Sequence, residues 1–330
     1  MLAIRRLFPR FGKNFLNRMI TLTLDRVMSV LLPPCDVFIG MAGVYPRTSG
    51  IARRRYGATV VTERGSRHIL SQRDTLQRLV RDGEEPVTDF AVSRDLASYE
   101  AADFISVPSV HVWQSFIDQG FPAERLFRNP YGVSLDQFEP TPAPPAEPPT
   151  VLFAGMWCLR KGCDLLSDAM ERLQPRVRLL HVGPVLDAHL PQADWFVHYD
   201  AVPQSRLIDY YALAHIFVLP SREEGLALVL PQALRAGLRV VCSDRSGGED
   251  LRDLLALGDA VRVVPHDDRD ALVAALQQQL EDAFATQPEG VPRELVGCGV
   301  DKLSWQSYGA RYIDFLASLP ARTDSLAADQ

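Results

Sequence analysis

Residues 216–237 read IFVLPSREEGLALVLPQALRAG, and this stretch decides the fold. The apolar run Ile216–Leu219 is too short for a helix and suits a strand buried on both faces, the kind found in parallel sheets. Pro220 and Ser221 end it, Glu223, Glu224 and Gly225 form the connection, and the pattern turns helical from Leu228 to Arg235 before Gly237 stops it. The backbone N–H groups of Ala227, Leu228 and Val229 are expected at the helix N-terminus, where such groups attract phosphate. A carboxylate at Glu224 is unfavourable beside phosphate unless it grips something neutral and hydroxylated, such as a sugar ring. The plainer alternative is an acidic residue that interacts with the helix dipole. Pro231 falls within the tolerated first turn of this helix.

The same alternation extends to both sides. Strands are expected at Val151–Ala154, Arg178–Val182, Val240–Cys242 and Ala260–Val264, and helices at Gly162–Leu173, Gln204–Ala212 and Asp268–Phe284. Alternating strand and helix specifies an open parallel sheet, whose ligands sit outside the carboxyl ends of the strands. There, after the strand VLFAG, stand Arg160 and Lys161, beside a helix that begins near Gly162. A guanidinium fork and an ammonium at a helix N-terminus suit a diphosphate, and a solvated loop pair is the alternative.

Residues 140–149, PTPAPPAEPP, read as a stiff extended linker and a domain boundary. Before it, DVFIG at 36–40, ATVVTE at 58–63 and FISVP at 104–108 predict three more strands, with a helix at Ile69–Arg81. The first 35 residues are basic and helical in pattern. Leu16, Met19, Ile20, Leu24, Val27 and Leu31 recur at three- and four-residue spacing until Pro33 and Pro34. Such a helix lies either on an anionic membrane surface or against its own domain.

The 330 residues allow two domains, and 47% apolar with 23% charged residues is a globular composition. With 35 Lys and Arg against 41 Asp and Glu the net charge is −6, which argues against a general nucleic-acid binder. No apolar run reaches the roughly 18 residues of a membrane span, and no cleaved secretory signal is evident. Five scattered cysteines without a C-x-x-C pair suit buried thiols in a reducing cytoplasm, so a cytoplasmic protein, at the inner face of the membrane if the basic helix docks there, is expected.

Several stretches together resemble glycosyltransferase family 4, the glycosyl transferases group 1. They are FAGMWCLRKGCDLL (153–166), LLHVGPV (179–185), residues 198–244 around the opening stretch, and SGGEDL (246–251). In the first half the resemblance rests on DVFIG, VTERGSRHI (61–69) and residues 106–138, and near the end on SWQSYGARYIDFL (304–316). It spans roughly residues 36 to 318. It implies an α/β protein of GT-B fold, with two Rossmann-like doubly wound domains facing a cleft. It also implies a retaining, metal-independent transfer of a hexosyl-type sugar from a nucleotide-diphosphate sugar, such as a UDP- or GDP-sugar, to a glycan or lipid-linked acceptor. No other cofactor is expected. The domains implied are an acceptor-side domain (1–139), the linker (140–149), a donor domain (150–303), and a closing helix with its tail (304–330) that crosses back to the first domain.

By the same resemblance Arg160 and Lys161 neutralise the leaving diphosphate, and Glu224 meets the hydroxyls of the donor sugar. The second glutamate of the family's E-x7-E motif, which holds the ribose, is here Gln232. Gly155 belongs with the donor-binding residues, while Val182, Gly183 and Val202 lie near the base, and Ala227, Leu228 and Val229 at the phosphates. Met156 replaces a common arginine. His68 lines the cleft beside Glu63, Arg64 and Ser66 as a catalytic candidate, with helix capping as the alternative. The family's opening strand and glycine-rich loop are not found in residues 1–35, so either the sequence starts late or the first domain is reduced, and in the second case the basic helix is expected over the strand edge this leaves. Gln232 and the shortened domain also motivate a competing expectation, a non-catalytic sugar-nucleotide-binding or partner subunit.

Overall fold

The computed structural model describes residues 13–81, 83–173, 177–293 and 299–319. The chain divides into two compact units. Unit 1 comprises the residues up to Arg128 together with Arg222–Gly225, and unit 2 comprises Asn129–Ser221 and Leu226 onward.

Unit 1 opens with α1 (Lys13–Leu31), followed by β1 (Val37–Met41), α2 (Pro46–Tyr56), β2 (Thr59–Glu63) and α3 (Ile69–Gln77). It continues through α4 (Asp89–Ala101), β3 (Phe104–Val107), α5 (Val110–Ile117) and β4 (Leu126–Arg128). The four strands are parallel and lie in chain order, with Phe38 opposite Val60 and Val61 opposite Phe104. Val60, Val61 and Ile105 are fully buried, as expected for strands covered on both faces.

α1 docks on unit 1 through a buried acid rather than through its apolar row. Met19, Leu24, Val27 and Leu31 of the predicted apolar row are 44–68% exposed, whereas Asp25 is 2% exposed. The Asp25 carboxylate accepts the backbone N–H groups of Arg47 (3.1 Å) and Thr48 (2.9 Å), the Thr48 hydroxyl (2.9 Å), and the Arg94 guanidinium (2.9 Å). It therefore satisfies the free amides at the start of α2 and compensates that helix's dipole. A buried charge persists because every partner is in place. The helix was expected over a strand edge. It packs instead on α2, and Ile39 and Met41 of the edge strand β1 stay 44% and 63% exposed.

Unit 2 contains β5 (Thr150–Ala154), α6 (Cys163–Leu173), β6 (Arg178–Val182), β7 (Phe196–Tyr199), α7 (Leu207–Tyr211) and β8 (Ile216–Leu219). After these come α8 (Val229–Arg235), β9 (Arg239–Ser243), α9 (Gly248–Leu255), β10 (Val261–Val264), α10 (Arg269–Thr286) and α11 (Trp305–Ser318). Its sheet is parallel with the order β10-β9-β8-β5-β6-β7. The first strand, β5, thus lies between β6 and β8, and the winding reverses there. That switch point is where doubly wound sheets bind ligands. Its core includes all four side chains of Ile216–Leu219 at 0% exposure.

Two expected boundaries shift. The division between units falls at Arg128 and Asn129, ahead of the proline run. That run is no free linker, because Ala143 exchanges backbone hydrogen bonds with Val291 (3.0 Å) and Gly290 (2.9 Å), and Arg293 holds the Thr141 hydroxyl (2.7 Å). Buried Arg293 supplies donors that a proline-rich strand lacks. The helix expected to cross back, α11, groups with unit 2, where Arg311 binds the Asn129 side chain (2.7 Å) and the Pro130 carbonyl (2.6 Å). Residues 1–12 and 320–330 of the predicted terminal segments lie outside the described residues. No helix among the described residues is long and apolar enough to cross a membrane.

Candidate active site

In unit 2 the loop after β5 is built around a buried tryptophan. Trp157 is 0% exposed, its backbone N–H binds the Pro184 carbonyl (2.8 Å), and its indole N–H binds the His189 carbonyl (2.9 Å). The chain then makes a 3-10 turn, Leu159–Lys161, capped by the Asp187 carboxylate on the Leu159 N–H (2.8 Å). Gly162 ends the turn at φ 72°, and a Cβ on it would lie 2.2 Å from the Pro220 carbonyl oxygen. The β5 and β8 loops therefore touch backbone to backbone, which only glycine permits. Arg160 and Lys161 are half-buried on this turn, at the carboxyl end of β5 and the switch point of the sheet.

Behind the turn, Gly155 and Gly183 meet, and a Cβ on Gly183 would fall 2.0 Å from the Gly155 carbonyl oxygen. That oxygen accepts from Nε2 of buried His181 (3.0 Å). Because a carbonyl can only accept, His181 carries its proton on Nε2. Its Nδ1 must then accept from Nδ1–H of His198, 2.9 Å away. Burial, with His198 alongside, lowers the pKa of His181 to about 4, so the neutral tautomer persists. The backbone at Gly155 is thereby fixed by a side chain that the sequence did not single out.

The region after β8 corrects one expectation. The Ala227 N–H is not available to phosphate, since it donates to the Ser246 carbonyl (3.0 Å). The helix α8 starts at Val229 with Leu228 as its flanking residue, and Pro231 sits where an N–H would be unpaired in any case. Gln232 is 4% exposed, and its Oε1 accepts from the Tyr211 hydroxyl (3.4 Å). Val182 is buried and Val202 half-buried against the unit 2 core.

Unit 1 holds the remaining predicted residues. Arg222–Gly225 groups with it, and the Glu223 carboxylate accepts from the Ser66 hydroxyl and from Gln72 Nε2 (3.3 Å). The carbonyl of Glu224 accepts from Nε2 of His111 (3.1 Å), and that of Gly225 from the Ser109 hydroxyl (2.7 Å). Ser109 and His111, directly after β3, thus fix the backbone that carries Glu224. Their place after a strand was the available signal, although the resemblance attached no role to them.

His68 is not brought to an open surface. It is 5% exposed between Tyr99 and Phe116, and its Nδ1 accepts the Leu70 N–H (3.3 Å) as the N-cap of α3. Burial, with Arg64 nearby, lowers its pKa to about 4. Glu63, Arg64 and Ser66 follow on β2 and its loop, where Arg64 pairs with Asp95 (3.4 Å). Among the described residues, no three His, Cys, Asp or Glu side chains form a group that could hold a metal ion.

Comparison with known proteins agrees with this architecture. Residues 148–282 match the family described as glycosyl transferases group 1. The chain is 28% identical to a GDP-mannose-dependent alpha-(1-6)-phosphatidylinositol monomannoside mannosyltransferase of Mycolicibacterium smegmatis, over 66% of this chain and 62% of that protein. It is 36% identical to a phosphatidyl-myo-inositol mannosyltransferase of the same organism, over 46% of this chain and 42% of the other. The chain therefore spans less than two thirds of the length of these relatives. Among solved structures, a sucrose-phosphate synthase from Thermosynechococcus elongatus superposes with a TM-score of 0.66 at 20% identity, over 91% of this chain and 80% of that one. A lipopolysaccharide outer core galactosyltransferase gives 0.62 at 15% identity, over 94% and 82%. Two parallel sheets and these neighbours give a chain of GT-B fold, whose residues 148–282 match the glycosyl transferases group 1.

Proposed function

We propose that the protein is a retaining glycosyltransferase of family 4 that moves a sugar from a nucleotide-diphosphate sugar to a glycan or glycolipid acceptor, with no bound metal. The observation that carries this reading is the cationic turn Arg160–Lys161, held at the switch point by the contact of Gly162 with Pro220. In this reading, the bond between the anomeric carbon and the β-phosphate oxygen breaks, and Arg160 and Lys161 stabilise the charge that grows on the leaving diphosphate. The acceptor hydroxyl attacks from the same face, and its proton passes to a leaving phosphate oxygen. Glu224 accepts hydrogen bonds from the donor sugar, and Gly155, Val182, Gly183, Val202, Leu228 and Val229 shape the nucleotide side. His68 acts through α3 as a positioning residue, because its ring is spent on capping and packing.

The names of the relatives favour a mannosyl donor carried by GDP and an inositol-containing lipid acceptor. Contact with an anionic membrane, through the outward apolar row of α1, suits such an acceptor. A panel of UDP- and GDP-sugars tests the activity: the protein is expected to release nucleoside diphosphate with one of them, and Glu224→Ala to lower that rate at least a hundredfold. A folded protein inactive with every donor and acceptor tried contradicts the reading. A second reading, a sugar-nucleotide-binding subunit that serves a partner enzyme, is favoured by buried Gln232 in place of the family's ribose-binding glutamate. Activity that appears only when a second protein is added supports it.

A further inference from the structure

Ser109 follows β3 and stands at the N-terminus of α5, where a serine hydroxyl ordinarily caps the free helix amides. Here it caps none of them. The buried hydroxyl is turned instead to the Gly225 carbonyl, 2.7 Å away. His111, the second residue of α5, is 7% exposed and meets the same stretch of backbone. Its Nε2 lies 3.1 Å from the Glu224 carbonyl, and its Nδ1 lies 3.0 Å from the Ser109 hydroxyl. Gly225 is also packed against the β2 loop, where a Cβ on it would lie 2.0 Å from the Gly65 carbonyl oxygen.

These three contacts need more protons than a neutral imidazole and one hydroxyl supply. A carbonyl oxygen only accepts, so the contact with Gly225 uses the single proton of the Ser109 hydroxyl. For the same reason the contact with Glu224 needs a proton on Nε2 of His111. The contact between Nδ1 and the Ser109 oxygen then needs a proton on Nδ1 as well. All three form together only when both ring nitrogens are protonated. His68 and His181 differ, because each accepts a hydrogen bond at Nδ1 and so is neutral. A buried cation is sustained at His111 because both of its ring N–H groups have an oxygen acceptor. α5 carries no other charged side chain, and Arg128 on β4, which packs against it, is exposed. The facing loop contributes Arg222, Glu223 and Glu224, and the β2 loop Arg64 and Arg67. Glu223 is turned to Ser66 and Gln72, and Arg64 to Asp95.

We propose that His111 is a doubly protonated positioning residue for Glu224: the imidazolium holds the Glu224 carbonyl directly and the Gly225 carbonyl through Ser109. Loss of the Nδ1 proton leaves the Ser109 hydroxyl facing two acceptors, and its one proton can serve only one of them. The backbone that carries Glu224 then loses a tie. The hold is therefore complete while the imidazolium persists and weakens as the pH rises past the point where it deprotonates. That the held loop serves a sugar donor rests on the transferase reading, whereas the ionisation of His111 does not.

Nitrogen NMR of the full chain, uniformly labelled with nitrogen-15, tests this, with the His111 signals assigned from His111→Gln. At pH 7 His111 is expected to show two protonated ring nitrogens where His68 and His181 show one. The Gly225 amide is expected to shift in step with His111 as the pH is raised. A single protonated nitrogen on His111 at pH 7, or a Gly225 amide that does not follow it, overturns the proposal. In the activity, His111→Leu should raise the KM for the donor sugar at least fivefold. His111→Gln, which keeps a donor for the Glu224 carbonyl, should recover at least half of that loss, and affinity for UDP or GDP should stay within twofold in both. An unchanged KM in His111→Leu overturns the positioning role. Nucleoside diphosphate affinity of the wild type is read in parallel: if it is absent while the NMR result holds, the transferase reading fails and the hold of His111 on the loop stands.

Discussion

Among single residues, two glycines of unit 2 and three buried histidines carry the sharpest predictions. Gly162 and Gly183 stand where a Cβ would strike a carbonyl oxygen at 2.2 and 2.0 Å. Gly162→Ala adds that clash to a left-handed backbone, so it should cost roughly 1–3 kcal/mol, read as a lower urea midpoint. The histidines predict a pH dependence. His68, His181 and His215 are each lowered to about 4, chiefly by burial. In the unfolded chain they titrate near 6.5, so below that pH the unfolded state binds protons that the folded state refuses. Stability is therefore full above about pH 6.5 and falls as the pH drops toward 4, by roughly 1–3 kcal/mol per histidine. Calorimetric melting across that range checks it, and His68→Asn, which keeps a capping oxygen, should flatten part of the slope. A melting temperature constant from pH 7 to 4 contradicts it.

Among the elements, the docking of α1 is the feature that sequence periodicity left open. Met19, Leu24, Val27 and Leu31 of its apolar row are exposed, and Asp25, an acid inside that pattern, is its anchor. Asp25→Ala leaves Arg94 buried without its carboxylate and should cost about 3–5 kcal/mol. Hydrogen exchange over residues 13–31 should quicken in that variant, and unchanged protection would refute the anchoring role. Elsewhere the reading of elements depended on local apolar content. Strands such as Val151–Ala154 and Ile216–Leu219 were legible because strands buried in parallel sheets are continuous apolar runs bounded by Gly and Pro. The helix α2 was not, because PRTSGIARRRY buries Thr48, Ser49 and Ala52 and shows no apolar stripe. The proline run misled for a related reason: its composition gives stiffness, but its partners, Arg293 and Val291, lie about 150 residues away and leave no local mark.

At the scale of the whole molecule, the chain has two units with a parallel sheet each, and the predicted site residues fall in both. Arg160, Lys161 and Gln232 belong to unit 2, while His68 and Glu224 group with unit 1. The candidate cations were legible because they follow a strand at the sheet's switch point. The supports of the site, His181 behind Gly155 and His111 behind Glu224, were not, since their roles arise from carbonyl contacts made across loops. In the proposed function, the turn at Arg160 and Lys161 grips the diphosphate of a nucleotide sugar. Calorimetric titration of wild type and Lys161→Ala with a nucleoside diphosphate and with the corresponding nucleoside tests it directly. The variant is expected to lose at least tenfold in affinity for the diphosphate and to hold the nucleoside unchanged. Equal diphosphate affinity in the two proteins would contradict it.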